Sequence, residues 1–214
     1  MIDYTILSKK VKKHIDDYLE FDSDELFKHG DAKIFGGAVR DSIAEFDIND
    51  VDVICGAETC RKLHIFLDSK GYIYQQELAP KDLGTLYRDI RIICEPHTFT
   101  KGDKIIQLIR PAGKPNLTEE EYMEYLNGLI SHVDISCCGV SYDGEKVTEN
   151  YPSAILHCSC LIFKINDTGM MYNIHRTKMR SYKFMDRGWK EFKTEAEGKL
   201  LIRNIQIDTL VKDE

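Results

Sequence analysis

The stretch Ile34-Phe35-Gly36-Gly37-Ala38-Val39-Arg40-Asp41, followed by Asp50-Val51-Asp52-Val53-Ile54-Cys55, decides how this 214-residue chain is read. Ala32 to Phe35 reads as a short strand running into a glycine pair, and Val39, Ile43 and Phe46 then recur at helical spacing. A Gly-Gly turn lets backbone N–H groups approach an anion without obstruction by a Cβ, and the helix behind it points its positive end at the same place. Asp50 and Asp52 lie two apart on the next strand, so their side chains leave from one face and converge. Such a pair can bind a divalent cation. Alone, a glycine pair is usually only a turn, and D-x-D more often sits on a solvated face. Strand, glycine turn, helix and acidic strand in succession are far more specific.

Working outward, residues 5 to 20 carry Ile6, Leu7, Val11, Ile15, Tyr18 and Leu19 at mostly three- and four-residue spacing, which predicts an amphipathic helix with Lys9, Lys10, Lys12 and Lys13 on its wet side. A shorter helix follows from Asp24. Thr59 to Lys70 places Leu63, Phe66 and Leu67 on a helical face and closes near Gly71. Two β-rich runs come next, Asp89 to Cys94 and Lys104 to Arg110, with Lys101-Gly102-Asp103 as a hairpin turn between them. Thr118 and Glu121 form a capping box at the start of a helix whose stripe is Tyr122, Leu126, Leu129, Ile130 and Val133. A strand is expected from Val133 to Tyr142, turning at Asp143-Gly144 into Glu145-Lys146-Val147. The order is that of a mixed α/β (α+β) sheet flanked by helices, not a regular parallel β-α-β series. We read residues 1–165 as the core with its N-terminal helices and 166–214 as a C-terminal basic helical appendage.

The segment Gly36 to Cys55 resembles the signature of the polymerase-β-like nucleotidyltransferase superfamily, in the G-G-x-V-R-D form found at the head of poly(A) polymerases and CCA-adding tRNA nucleotidyltransferases. The resemblance spans roughly residues 30 to 150 and includes Val133-Asp134-Ile135-Ser136-Cys137-Cys138-Gly139-Val140-Ser141-Tyr142-Asp143-Gly144. A weaker echo, of small viral and bacteriophage-like members, lies in Arg176 to Gly188. The resemblance implies phosphoryl transfer from a nucleoside triphosphate by positioned metals, Mg²⁺ or Mn²⁺, held by Asp50 and Asp52. Gly36 and Gly37 would hold phosphate oxygens. Arg40 would either reach the triphosphate or pair with Asp41 to hold the helix.

Members often have a third carboxylate on a neighbouring strand, and its natural place here is the centre of Lys104 to Arg110, where Gln107 stands. A neutral amide binds Mg²⁺ poorly. Asp134 is the best substitute, matching an acid that lies near the incoming nucleotide in CCA-adding relatives; the plainer reading is a strand-end hydrogen-bonding aspartate. Catalytic candidates are therefore Asp50, Asp52 and Asp134, and nucleotide-binding candidates Gly36, Gly37, Arg40 and Asp134.

The net charge is −7 at pH 7, so binding of RNA requires a local basic patch. Tyr172 to Lys193 supplies one. Arg176, Arg180, Lys183 and Arg187 are candidates for RNA or phosphate contact, interleaved with Tyr182, Phe184, Trp189 and Phe192. The alternative is an amphipathic helix with a solvated basic face and its aromatics in the core. The acceptor favoured by resemblance is an RNA 3′ end, although the chain shows neither the long helical body nor the E-D-x-x-R segment of CCA-adding enzymes. A degenerate fold that only binds nucleotide or RNA is the alternative in another class, and a sugar-nucleotide glycosyltransferase would leave the glycine turn without a place.

Charge precedes any apolar stretch at the N-terminus, the uncharged run Tyr151 to Phe163 is too short to cross a bilayer, and seven cysteines are an odd number. A cytoplasmic protein with reduced thiols and no membrane partner is expected. His157, Cys158 and Cys160 lack zinc-knuckle spacing, and Cys137-Cys138 reads as one core and one half-exposed thiol. His97, His132 and His157 show no pattern expected of a catalytic base.

Overall fold

The computed structural model describes residues 3–75, 93–112 and 118–212. Helix α1, Tyr4–Leu19, is capped by Asp3, whose side chain accepts from the Thr5 and Ile6 N–H groups. Val11, Ile15 and Leu19 are buried, while Ile6, expected on the apolar stripe, is 66% exposed. It lies a turn before the core begins. Helix α2 spans Asp24–Phe27, strand β1 Ala32–Phe35, helix α3 Gly37–Ala44 and strand β2 Val51–Cys55. Helix α4, Ala57–Ser69, returns to the short edge strand β3, Ile73–Tyr74.

Strands β4, Ile93–Lys101, and β5, Lys104–Ala112, form a long hairpin closed by the pair Lys101 and Lys104. The two turn residues are Gly102 and Asp103, as expected. The strand before the turn, however, runs up to Lys101 rather than ending at Cys94, and residues 89–92 lie outside those described. Strand pairing along the whole of β5 prevails there over the weak local propensity of Glu95 and Pro96.

Helix α5, Glu119–Ser131, begins with the expected capping box: the Thr118 N–H donates to Glu121 Oε2 at 2.8 Å, and the Glu121 N–H donates to Thr118 Oγ1 at 3.2 Å. Ile130 is buried. The stripe side chains Tyr122, Leu126 and Leu129 lie outside the described set.

The expected strand Val133 to Tyr142 is broken. Ile135 makes a single bridge to Ile165, Ser136–Cys138 forms one 3-10 turn, and only Val140–Tyr142 is strand β6. The cause is a polar anchor. Ser136 Oγ accepts the Lys164 N–H at 2.9 Å and meets His157 Nδ1 at 3.0 Å, drawing the chain off the sheet. The turn over Asp143 and Gly144 then leads into β7, Val147–Glu149. Helix α6 (Ala154–Ser159), strand β8 (Ile162–Phe163), helix α7 (Asp167–Asp186), strand β9 (Lys190–Glu191) and helix α8 (Glu195–Lys212) complete the chain.

The main sheet has seven strands in the order β3-β4-β5-β2-β1-β6-β7, with β2 and β5 parallel and the other neighbours antiparallel. The architecture is the mixed α/β sheet flanked by helices that the sequence implies. One face carries Ala32, Ile34, Val51, Val53, Ile106 and Leu108, which join Val11, Ile15 and Leu19 of α1 and Leu63 and Leu67 of α4 in a single core. The opposite face carries Phe35, Asp52, Gln107 and Thr98 in one row across four strands. Among the described residues no helix is long and apolar enough to cross a membrane.

Candidate active site

Gly36 joins β1 to α3 at φ 66° and ψ −119°, a conformation that a side chain strongly disfavours. Its N–H donates to the Val140 carbonyl at 3.0 Å, tying the turn to β6. The N-cap of α3, Gly36, offers no side-chain acceptor to the first-turn N–H groups. A Cβ on Gly37 would stand 3.7 Å from Asp50 Oδ1 and 3.9 Å from Arg40 Nη2. The glycine turn and the first aspartate are thus adjacent, from segments that the sequence separates.

Asp52 sits on β2 with its carboxyl buried, and its Oδ1 has no hydrogen-bond partner. Burial, and next the repulsion of Asp50, push its pKa from 3.8 up to about 7; Arg180 and Arg40 oppose the shift. Asp50 is raised too, chiefly by burial, with Arg40 countering and Asp41 adding. Two neighbouring carboxylates that both resist ionisation, one with an orphaned oxygen, are a donor set that a cation could complete. All-oxygen acidic donors suit Mg²⁺ or Mn²⁺.

Gln107 is paired directly with Asp52 across the parallel β2–β5 ladder. The neutral amide therefore occupies the adjacent place in the acidic row.

Arg40 is buried and fully employed. Its Nε and Nη2 donate to the two oxygens of Asp41 at 2.7 and 2.8 Å, its Nη1 lies 3.3 Å from Cys138 Sγ, and the guanidinium stacks over Phe184 at 4.7 Å. The Asp41 pair is one of the two arrangements expected for this arginine, and its Nη2 also stands beside the Gly37 turn. Asp41 receives a second arginine, Arg187 Nη1 at 3.3 Å, which also lies over the Phe46 ring.

Asp134 ends the segment after α5 rather than beginning a strand. Its carboxylate accepts from Arg180 Nη1 and from Thr177 Oγ1, both on α7. Arg180 also lies 3.6 Å from Cys138 Sγ. The Cys138 thiol, lowered to about 6 chiefly by the Cys137 hydrogen bond and then by Arg40 and Arg180, is buried beside its neighbour. Neither Cys137 nor Cys138 is half-exposed, because the 3-10 turn folds both inward. Cys137, Cys138, Cys158 and Cys160 take part in no disulfide.

The basic segment divides. Arg180 and Arg187 face the core and hold α7 against Asp134 and Asp41, whereas Lys183 is exposed. The side chain of Arg176 lies outside the described set. Phe184, Trp189 and Phe192 are buried, and Tyr182 is exposed. Missed in the sequence reading were the arginine-to-aspartate clamps, since nothing local pairs residue 180 with 134. Of the histidines, His157 is lowered to about 4 by burial, and His132 Nδ1 lies 2.7 Å from the Gly128 carbonyl. Cys158 Sγ donates to the Cys137 carbonyl.

No protein-family model matches the chain. No curated protein matches it either. Solved structures do. A CCA-adding enzyme in complex with CTP superposes with a TM-score of 0.61 at 13% identity, covering 100% of this chain and 48% of that one. A CCA-adding enzyme with ATP gives 0.57 at 13% identity, over 98% of this chain and 46% of that one. The Thermotoga maritima CCA-adding enzyme complexed with tRNA gives 0.56 at 12% identity, over 100% and 47%. The chain spans about half the length of the structures it matches, and it has the fold of the part that it covers.

Proposed function

We propose that this chain, which shares the head fold of CCA-adding enzymes, is a metal-dependent nucleotidyltransferase that moves a nucleoside monophosphate from an NTP to a hydroxyl and releases pyrophosphate. The observation that supports this best is the adjacency of the Gly36-Gly37 turn to Asp50, whose charge acts on a neighbouring Asp52 with a buried, unpartnered oxygen.

Asp50 and Asp52 would hold Mg²⁺ or Mn²⁺, which when bound supplies Lewis-acid activation of a hydroxyl and charge neutralisation on the triphosphate. The chain's own work is positioning. The Gly36 turn admits phosphate oxygens close to the backbone, and the uncapped start of α3 directs N–H groups at them. Arg187 at the end of α7 on Asp41, and Arg40 on Cys138 and Phe184, fix α3, so the turn keeps its aim. Arg180 holds α7 on Asp134 and reduces the repulsion at Asp52. Lys183 stands on the exposed side of α7, where a nucleic-acid phosphate can reach it.

We take an RNA 3′ end as the favoured acceptor. Transfer of label from each α-labelled NTP onto a mixture of RNA and protein, with Mg²⁺ or Mn²⁺, tests both activity and acceptor class. Incorporation that vanishes in Asp50→Ala/Asp52→Ala supports the reading, and the labelled product names base and acceptor. Gln107 favours one second reading, a fold that binds nucleotide or RNA without turnover. In that case NTP binding persists in metal-free buffer while no mutant-sensitive incorporation is found.

A further inference from the structure

Cys60 and His64 are one helical turn apart on α4, on one face of the helix. His97 belongs to β4, which packs beside them. Cys60 Sγ and a ring nitrogen of each histidine lie within 4.8 Å of one another. The two imidazoles meet directly, His64 Nε2 to His97 Nδ1 at 2.7 Å. Cys60 is 3% exposed, and the His64 ring is enclosed by Phe99 and Tyr74, with centroids 4.6 and 5.0 Å away. Tyr74 also stacks on His97.

This cluster is separate from the acidic pair. His97 pairs with Leu108, whereas Thr98 pairs with Gln107, which in turn pairs with Asp52. Side chains alternate along a strand, so His97 projects from the face opposite Asp52.

We infer that Cys60, His64 and His97 form a binding site for a zinc-class divalent cation that ties α4 to β4 on the back of the sheet. One thiolate and two imidazoles are the donors that zinc selects, and three protein ligands leave a fourth position for water. Binding releases the Cys60 proton to solvent, and the N–H between the two rings moves to the other nitrogen of the same imidazole, so both histidines ligate in their neutral form. The rings then part by about half an ångström, since nitrogens around one tetrahedral zinc stand farther apart than a hydrogen-bonded pair. His64 is already held toward its neutral, ligating form, chiefly by burial and then by Arg110. Arg110 also opposes an incoming dication, and the negative charge of the Cys60 thiolate offsets it. Exposed lysines and carboxylates elsewhere offer no comparable mixed sulfur and nitrogen set among the described residues.

The test uses the full chain carrying Asp50→Ala/Asp52→Ala, so that the acidic pair cannot contribute. After chelation, Co²⁺ is titrated and the absorption spectrum recorded. The expected result is a saturable thiolate-to-cobalt band with tetrahedral visible bands at one equivalent, displaced by Zn²⁺, with Zn²⁺ raising the Tm. Cys60→Ser should abolish the thiolate band, and His97→Gln should weaken Co²⁺ binding by about tenfold or more. Far-UV circular dichroism in chelator confirms that each variant is folded, and either variant suffices if the other is not. A folded parent chain with no thiolate band, or a band that survives Cys60→Ser, overturns the inference. The cluster is then a hydrogen-bonded histidine pair beside a buried thiol.

Discussion

Gln107 lies directly beside Asp52 across the parallel β2–β5 ladder, so a neutral amide and a buried carboxyl with one unpartnered oxygen share one row of the sheet. A carboxylate in the amide's place would add a third acidic oxygen donor. Gln107→Glu should tighten Mn²⁺ binding by about tenfold, the scale on which a metal's surroundings act. It should also destabilise the metal-free chain through like-charge repulsion. Calorimetric titration with Mn²⁺ and thermal unfolding in chelator check the two effects, and unchanged affinity would remove Gln107 from the metal's surroundings.

The raised pKa of Asp52 sets a pH dependence for the metal-free fold. Between 3.8 and about 7 the folded chain keeps a proton that the unfolded chain has released, so this group costs stability as pH rises through that window. Asp52→Asn removes the cost. In chelator at pH 8 the variant should be more stable than the parent by about 4 kcal/mol, and at pH 4 the difference should nearly vanish. Denaturant unfolding at the two pH values measures it; equal differences at both would mean that Asp52 is not desolvated.

Gly36→Ala should destabilise through strain alone, because open space surrounds the position and no clash arises. With φ at 66° and ψ at −119°, a loss of about 1–3 kcal/mol is expected. Under the proposed function, KM for the NTP should rise more than kcat falls, since the turn meets phosphate in ground and transition states alike. A variant with wild-type stability would show that the turn relaxes into another conformation.

Arg180 and Asp134 act as one clamp. Arg180→Met leaves a part-buried carboxylate short of its partner and should cost about 1–3 kcal/mol. Asp134→Asn should cost less, because an amide oxygen still accepts from Arg180. The double variant should lose less than the sum, and strict additivity in the cycle would show that the pair is not coupled.

His157 gives the fold a second pH dependence of opposite sign. Its pKa falls from 6.5 to about 4, mainly by burial, so it contributes stability that is complete above 6.5 and lost as pH falls through 4. His157→Asn, which keeps a group facing Ser136, should be less stable at pH 7 yet show a shallower loss toward pH 4. A series of unfolding midpoints across that range would reveal it, and parallel curves would place the acid sensitivity elsewhere.

Residues 32–55 were legible in sequence because each feature there is local: a strand, a glycine pair, a helix with Val39 and Ile43 inward and an alternating acidic strand. The capping box of Thr118 and Glu121 was legible for the same reason, since three residues of spacing contain both hydrogen bonds. Even the place of Gln107 could be named, as the centre of an apolar strand. Val133 to Tyr142 could not be read correctly. Its pattern is that of a strand, and the anchor that breaks it, Ser136 Oγ with Lys164 and His157, comes from residues more than twenty positions away.

What the sequence by itself determined was therefore the set of segments whose hydrogen bonds and apolar periodicity close within a few residues. The tertiary structure alone decided which partners the charged and sulfur-bearing groups take. It turned Arg180 and Arg187 inward to Asp134 and Asp41, occupied Arg40 with Asp41, buried both Cys137 and Cys138, and brought His97 to Cys60 and His64. Local periodicity specifies which face of an element is apolar, but only strand register and helix docking specify what that face meets.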